Sequence, residues 1–277
     1  MKKTNKAKVV ICSNIKGGVA KTTTAATLGA GLVQKGYKVL FVDADPQSNL
    51  TMCFMPEPKE GSNTLYKVFA GEVVEVDGKE ETREVPISKV KVAIKPGMDI
   101  VPGDFSLCSA DLEFLGEINS MSMLKDALEE EKEKYDFIII DTPPNVGILT
   151  MNAFIAGDII ITPMAADSFS LRAIQLLRKT IDRVMLKANP HLSVAGVLLT
   201  KHNERLNSAK SLSATIDKAA DLLDTTVYNT TIRQAAVVLE SQLYRTDLYD
   251  FAPKAPVTQD YEKFVEEFLE RLKMEGK

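Results

Sequence analysis

The chain has 277 residues, of which 45% are hydrophobic and 26% charged, and a formal net charge of −4. That length buries a substantial core in one large domain or two small ones, and the charge excludes a globally basic nucleic-acid binder, so any such surface must be local. Cys12, Cys53 and Cys108 are widely spaced without a C-x-x-C pair, which argues against an iron–sulfur or zinc site, and no apolar run is long enough for a signal peptide core or a bilayer span. These features predict a cytoplasmic protein.

In chain order, a first strand is predicted near Val9–Cys12 and a helix near Thr22–Lys35, with Lys16-Gly17-Gly18-Val19-Ala20-Lys21-Thr22-Thr23 joining them. A glycine-rich turn between strand and helix aims backbone N–H groups and the positive helix end at a polyphosphate. Lys21 neutralises phosphate charge there, and Thr22 offers a hydroxyl to Mg²⁺. Ile15 and Ala20 replace both glycines of the strict G-x-x-x-x-G-K-[ST] pattern. Alanine fits at position 20 if the backbone there stays right-handed.

A second strand, Lys38–Val42, runs into Asp43-Ala44-Asp45-Pro46-Gln47-Ser48-Asn49, where Asp45 is the candidate for orienting an attacking water. Residues Glu72 to Lys95 mix charge with valine around Gly78 and Pro86 and read as a hairpin or extended surface insertion. Further strands are predicted near Asp99–Val101, Phe137–Ile140, Ile159–Thr162, Val194–Leu199 and Thr226–Tyr228. Helices are predicted near Ser106–Glu117, Ser122–Lys134, Ser168–Lys187, Ser208–Leu223 and Gln259–Lys273. The alternation implies parallel β-α-β units: an α/β, doubly wound, mostly parallel sheet in a single domain, 1–277, with ligands beyond the carboxyl ends of its strands. The buried strand Phe137–Ile140 ends in Asp141, the form of a Walker B site, which holds Mg²⁺ through water.

The cradle x-K-G-G-x-x-K-[ST], the D-x-D-P-Q-x-N run at Asp43–Asn49 and the strand ending at Asp141 resemble, in that order, the ParA/MinD family of deviant Walker A P-loop ATPases. ParA/Soj-type partition proteins are the nearest branch. The resemblance extends to Asn63–Phe69, Gly157–Pro163 and Phe251-Ala252-Pro253 with the terminal helix. It implies ATP and Mg²⁺ as ligands and slow, partner-stimulated hydrolysis. It assigns hydrolysis to Asp45, support near the metal to Asp43, and to Lys16 a reach into the nucleotide site of a second subunit, so that ATP closes a homodimer. Adenine is expected against Lys201–Asn207 and Asn229–Arg233, and His202 is given no catalytic role.

Family members differ in what the dimer grips. A membrane role requires a basic amphipathic terminal helix, whereas here the stripe Tyr261, Phe264, Val265, Phe268, Leu269 and Leu272 is backed by Glu262, Glu266, Glu267 and Glu270, so a helix docked on the protein body is expected. For DNA, Arg172, Lys179, Arg183 and Lys187 fall on one stripe of a helix, a pattern also found on ordinary solvated faces, and Arg233 lies where partition ATPases carry a DNA-contacting arginine. Such contacts go to phosphates and ignore sequence. Only about a dozen residues precede the cradle, so no helix-turn-helix extension is expected. The combined expectation is a nucleoid-associated partition ATPase that binds DNA nonspecifically and works with a ParB-like centromere-binding protein. The alternative is an ATP-dependent positioning or scaffold ATPase that touches no DNA.

Overall fold

The computed structural model describes residues 6–114, 116, 119–165, 171–202 and 209–275. The strands among the described residues are β1 (Lys8–Cys12), β2 (Val39–Asp43), β3 (Glu72–Val76), β4 (Lys79–Arg83), β5 (Val92–Lys95), β6 (Met98–Val101), β7 (Phe137–Asp141), β8 (Ile159–Ala165) and β9 (Ser193–Thr200). The helices are α1 (Lys21–Gln34), α2 (Asn49–Met52), α3 (Leu65–Ala70), α4 (Ile87–Val90), α5 (Ala110–Glu113), α6 (Met123–Leu128), α7 (Ile148–Ala156), α8 (Leu171–Lys187), α9 (Ala209–Leu222), α10 (Ala236–Leu243), α11 (Leu248–Phe251) and α12 (Pro256–Glu275).

Seven strands form one sheet in the order β5-β6-β2-β7-β1-β8-β9, parallel except for the edge strand β5. The central strands are runs of Val, Ile, Leu and Phe because both of their faces are covered. One face packs on α1 and α12 through Leu28, Phe41, Phe264 and Phe268; the other packs on α7 and α8 through Ile140, Phe154, Leu177 and Ile181. This is the predicted doubly wound architecture. The apolar stripe of α12 is spent on that packing, since Tyr261, Phe264, Val265 and Phe268 are fully buried, and its acidic face is put to use as well. Glu267 accepts the backbone N–H groups of Asn229 and Thr230 at 2.8 and 2.9 Å.

Those two bonds explain one departure from the predicted elements. Thr226–Tyr228 is not a strand; Val227 makes only an isolated bridge to Val197, and beyond it the N–H groups that would extend a ladder are taken by Glu267. The seventh strand is instead β5, at the end of the 72–95 segment, half-exposed and tied down by Lys95 to Asp247 and Asp250. The rest of that segment holds a two-stranded antiparallel hairpin, β3 and β4, turning at Asp77 and Gly78, which both have positive φ as a tight hairpin requires.

The predicted helix Ser106–Glu117 is a 3₁₀ turn over Phe105–Ser109 followed by one turn of α5, and Gly116 at φ 95° is incompatible with its continuation; Glu117 lies outside the described residues. Likewise Ser122–Lys134 resolves into α6 and a 3₁₀ turn at Glu131–Glu133. Ser168 and Ser208, the predicted starts of two helices, also lie outside the described residues, while α8 and α9 match the remainder. The helix α7, missed in the sequence, is apolar on all sides and so shows no amphipathic contrast.

Candidate nucleotide-binding site

The strand order makes the site. β7 lies between β2 and β1, and its register sets Asp141 level with Asp43 on one side and Cys12 on the other. The chain leaves β1 at this end, through the cradle, into α1. Thr200 of β9 holds the cradle by donating to the Val19 carbonyl at 3.0 Å, and Pro144, after β7, stands against Gly17.

Within the cradle Gly17 and Gly18 are exposed and Val19 is buried. Gly18 has φ 74°, and so does not stand alone: Ala20 sits at φ 64°, ψ 32°. The condition under which alanine fits there without cost, a right-handed backbone, is therefore not met. The residue preceding α1 must turn left-handed to reverse the chain, and alanine occupies that conformation at a cost that glycine avoids.

Lys21 is buried at the first position of α1, its Nζ donating to the Lys16 carbonyl at 3.4 Å. Burial lowers its pKa, against the opposing pull of Asp141 and Asp45. Lys16 enters its own site through its main chain, the N–H donating to Asn14 Oδ1 at 3.0 Å and the carbonyl accepting from Lys21. Thr22 donates its hydroxyl to Asp141 Oδ2 at 2.6 Å; Asp141 Oδ1 is buried and has no hydrogen-bond partner among the described residues. Desolvation, then repulsion from Asp43, raises the Asp141 carboxyl well above the usual range. A hydroxyl beside a carboxylate that lacks compensation is a donor set that suits Mg²⁺, a hard cation taking oxygen ligands.

Asp43 does not offer its oxygens to the cleft. Oδ2 accepts the backbone N–H and the hydroxyl of Thr51, each at 2.7 Å, and Oδ1 accepts the Asp45 N–H at 3.3 Å. Its burial raises the carboxyl to about 6, partly offset by those bonds. Asp45, by contrast, lines the cleft, with Oδ1 accepting the Gln47 N–H at 3.0 Å.

The cleft above the cradle measures about 490 Å³, and Lys21, Thr22, Asp45, Gln47, Asn49 and Pro144 are among its walls. A second hollow of about 460 Å³ adjoins it, sharing Ala20, Thr23, Lys201 and Gln242, and is completed by Ile232 and Arg233 among others. It coincides with the predicted base-binding end as far as Lys201 and Ile232–Arg233; residues 203–207 lie outside the described residues. Gln242, whose Nε2 donates to Thr23 Oγ1 at 3.3 Å, was not foreseen, because α10 was not read as an element.

The proposed DNA-facing residues fall elsewhere. Arg172, Lys179, Arg183 and Lys187 are all exposed on α8, opposite the buried Ile174, Leu177, Ile181 and Val184. Arg233 is half-exposed and makes a bidentate pair with Asp260 of α12, Nε to Oδ2 at 2.6 Å and Nη2 to Oδ1 at 2.9 Å. His202 bridges to Arg233 through the backbone. Among the described residues no helix is long and apolar enough to cross a membrane.

A doubly wound sheet in which an inner strand feeds a glycine-bearing phosphate cradle and helix, beside the central strand ending in a buried aspartate, defines a P-loop NTPase. Comparison with known proteins narrows the class. A family model described as an AAA domain (AAA_31) matches residues 7–194. The chromosome partitioning protein ParA of Caulobacter vibrioides is 32% identical over 96% of this chain and 96% of its own length, and the sporulation initiation inhibitor protein Soj of Bacillus subtilis is 30% identical over 92% and 95%. Among solved structures, cobyrinic acid a,c-diamide synthase from Mycobacterium smegmatis with a bound ATP analogue and magnesium superposes with a TM-score of 0.80 at 27% identity, covering 96% of each chain. The chain belongs to the ParA/Soj family of P-loop ATPases.

Proposed function

We propose that this protein is a partition-type ATPase that binds ATP and Mg²⁺, closes into a dimer around the nucleotide, holds DNA nonspecifically in that state, and is returned to monomer when a ParB-like partner stimulates hydrolysis. The observation that carries the reading is the convergence of Lys21, Thr22, Asp45 and Asp141 at one end of three neighbouring strands, with Lys16 at the cradle entrance.

Each residue has a distinct task. The cradle N–H groups and Lys21 bind the β- and γ-phosphates. Thr22 and Asp141 hold Mg²⁺, whose charge offsets that of the phosphates. Asp45, on the cleft wall, orients the attacking water. Lys16 of one subunit reaches the phosphates of the other, so hydrolysis waits for dimerisation. Four exposed cations on α8 are a shallow strip, and doubling them in the dimer makes DNA affinity depend on ATP.

The test is a set of variants assayed for nucleotide binding, oligomeric state and DNA retardation. Lys21→Ala should lose nucleotide, Lys16→Ala should bind ATP without dimerising, and Asp45→Ala should accumulate as an ATP-bound dimer. Wild-type hydrolysis by Asp45→Ala would sink the mechanism. Absence of ATP-dependent, salt-sensitive DNA binding would favour a positioning or scaffold ATPase that touches no DNA instead.

A further inference from the structure

Thr51 is fully buried in the single turn of α2, away from solvent, yet its hydroxyl both donates and accepts a hydrogen bond. It donates to Asp43 Oδ2 at 2.7 Å and accepts the N–H of Gly103, in the loop after β6, at 3.0 Å. The Thr51 backbone N–H reaches the same Asp43 oxygen at 2.7 Å. These bonds close the chain from Asp43 to Thr51 into a loop, and the residues it projects into the cleft are Asp45, Gln47 and Asn49. The other Asp43 oxygen accepts the Asp45 N–H, so the carboxylate fixes both ends of the segment that carries Asp45. Gly103 abuts the same point: a Cβ there would lie 2.6 Å from the Asp43 carbonyl oxygen and 3.2 Å from its Cγ. The end of β2, the turn of α2 and the end of β6 thus meet on one hydroxyl.

We infer that Thr51 is a positioning residue for hydrolysis: through Asp43 it sets the place of Asp45 on the cleft wall without itself touching the nucleotide. This rests on the ATPase reading above. Phosphoryl transfer to water depends on placement, and misplacement of about 1 Å costs on the order of a hundredfold in rate. A residue acting only in this way should govern turnover and leave nucleotide affinity alone, because Lys21 and the cradle are held by other contacts.

The experiment compares Thr51→Val, which keeps the shape and removes the hydroxyl, with Thr51→Ser, which keeps the hydroxyl. Thr51→Ala, smaller, is a second hydroxyl-free variant and should match Thr51→Val. Turnover and KM for ATP are measured with affinity for a non-hydrolysable ATP analogue, and folding is monitored by circular dichroism. Thr51→Val should lose roughly tenfold or more in kcat, with KM and analogue affinity within about twofold, and Thr51→Ser should recover most of the rate. A Thr51→Val protein as fast as an active wild type overturns this inference alone. So does a loss that appears equally in analogue affinity and is not restored by serine, since that marks general loosening. A wild-type protein that hydrolyses no ATP overturns the ATPase reading and this inference with it.

Discussion

Thr22 and Asp141 lie 119 residues apart in sequence, and the hydroxyl of one donates to the carboxylate of the other at 2.6 Å. The pair exists because β1 and β7 are neighbours, and in the proposed function it is the ligand set for Mg²⁺. Removing the hydroxyl should therefore weaken nucleotide binding only where the metal contributes. Thr22→Ala is expected to lose on the order of tenfold in ATP-analogue affinity with Mg²⁺ present, about 1.4 kcal/mol. Calorimetry with Mg²⁺ and with EDTA checks this, and an equal loss in EDTA would refute the metal role.

The left-handed Ala20 makes the cradle improvable. A non-glycine residue in this conformation costs about 1–2 kcal/mol, while glycine returns about 0.4–1 kcal/mol as greater unfolded-chain freedom. Ala20→Gly should raise stability by roughly 0.5–1 kcal/mol, seen as a higher denaturation midpoint at unchanged m-value. Ala20→Val, β-branched at the same φ, should lower it. The opposite order would show that position 20 does not hold the left-handed backbone in solution.

Asp43 gives the nucleotide-free protein an inverted acid response over a narrow window. Its carboxyl is raised to about 6 in the folded chain, chiefly by burial, from the 3.8 of a free side chain. A raised folded pKa contributes stability that is complete below 3.8 and lost as pH climbs through about 6. Between pH 7 and pH 5 the folded chain takes up this proton and the unfolded chain does not, a gain of about 1 kcal/mol. Thermal midpoints at the two values should reveal it, and Asp43→Asn should shrink the difference, leaving the part that the likewise raised Asp141 contributes. A wild-type midpoint that falls from pH 7 to pH 5 while Asp43→Asn falls equally would refute the assignment.

Arg233 cannot be read simply as a DNA contact. Its guanidinium grips Asp260, which is 7% exposed, so truncation removes the fork from a buried carboxylate. Arg233→Ala should destabilise the fold by about 1–3 kcal/mol whatever it does to DNA binding. Asp260→Asn separates the two effects, since it loosens the pair and leaves the cation. If DNA retardation survives Arg233→Ala at a temperature where the variant is folded, the contact falls to the α8 stripe alone.

The nucleotide-facing half of this molecule was legible because its residues announce their backbone needs. Lys16, Gly17, Gly18, Lys21 and Thr22 follow one apolar strand, and Asp141 ends another. What escaped was set by tertiary partners. Glu267, from the terminal helix, takes the N–H groups that would have prolonged a strand at 226–228, and no local pattern reports a donor captured from 37 residues away. Ala20 was misjudged because alanine carries no mark of handedness. Gln242 escapes because α10 presents no strong apolar rhythm, and Thr51 because a threonine two residues beyond a motif looks like any other.

The sheet order also dictates when the site can come into being. β1 precedes both of its partners, β7 and β8, which lie at 137–141 and 159–165. During synthesis its Val-Val-Ile core therefore remains unpaired until residues 137–141 have emerged, with closure entropy delaying the pairing further. The cradle thus depends on a strand more than a hundred residues further along: a truncated or stalled chain that stops short of β7 has the cradle sequence and no strand beside β1 to carry Asp141.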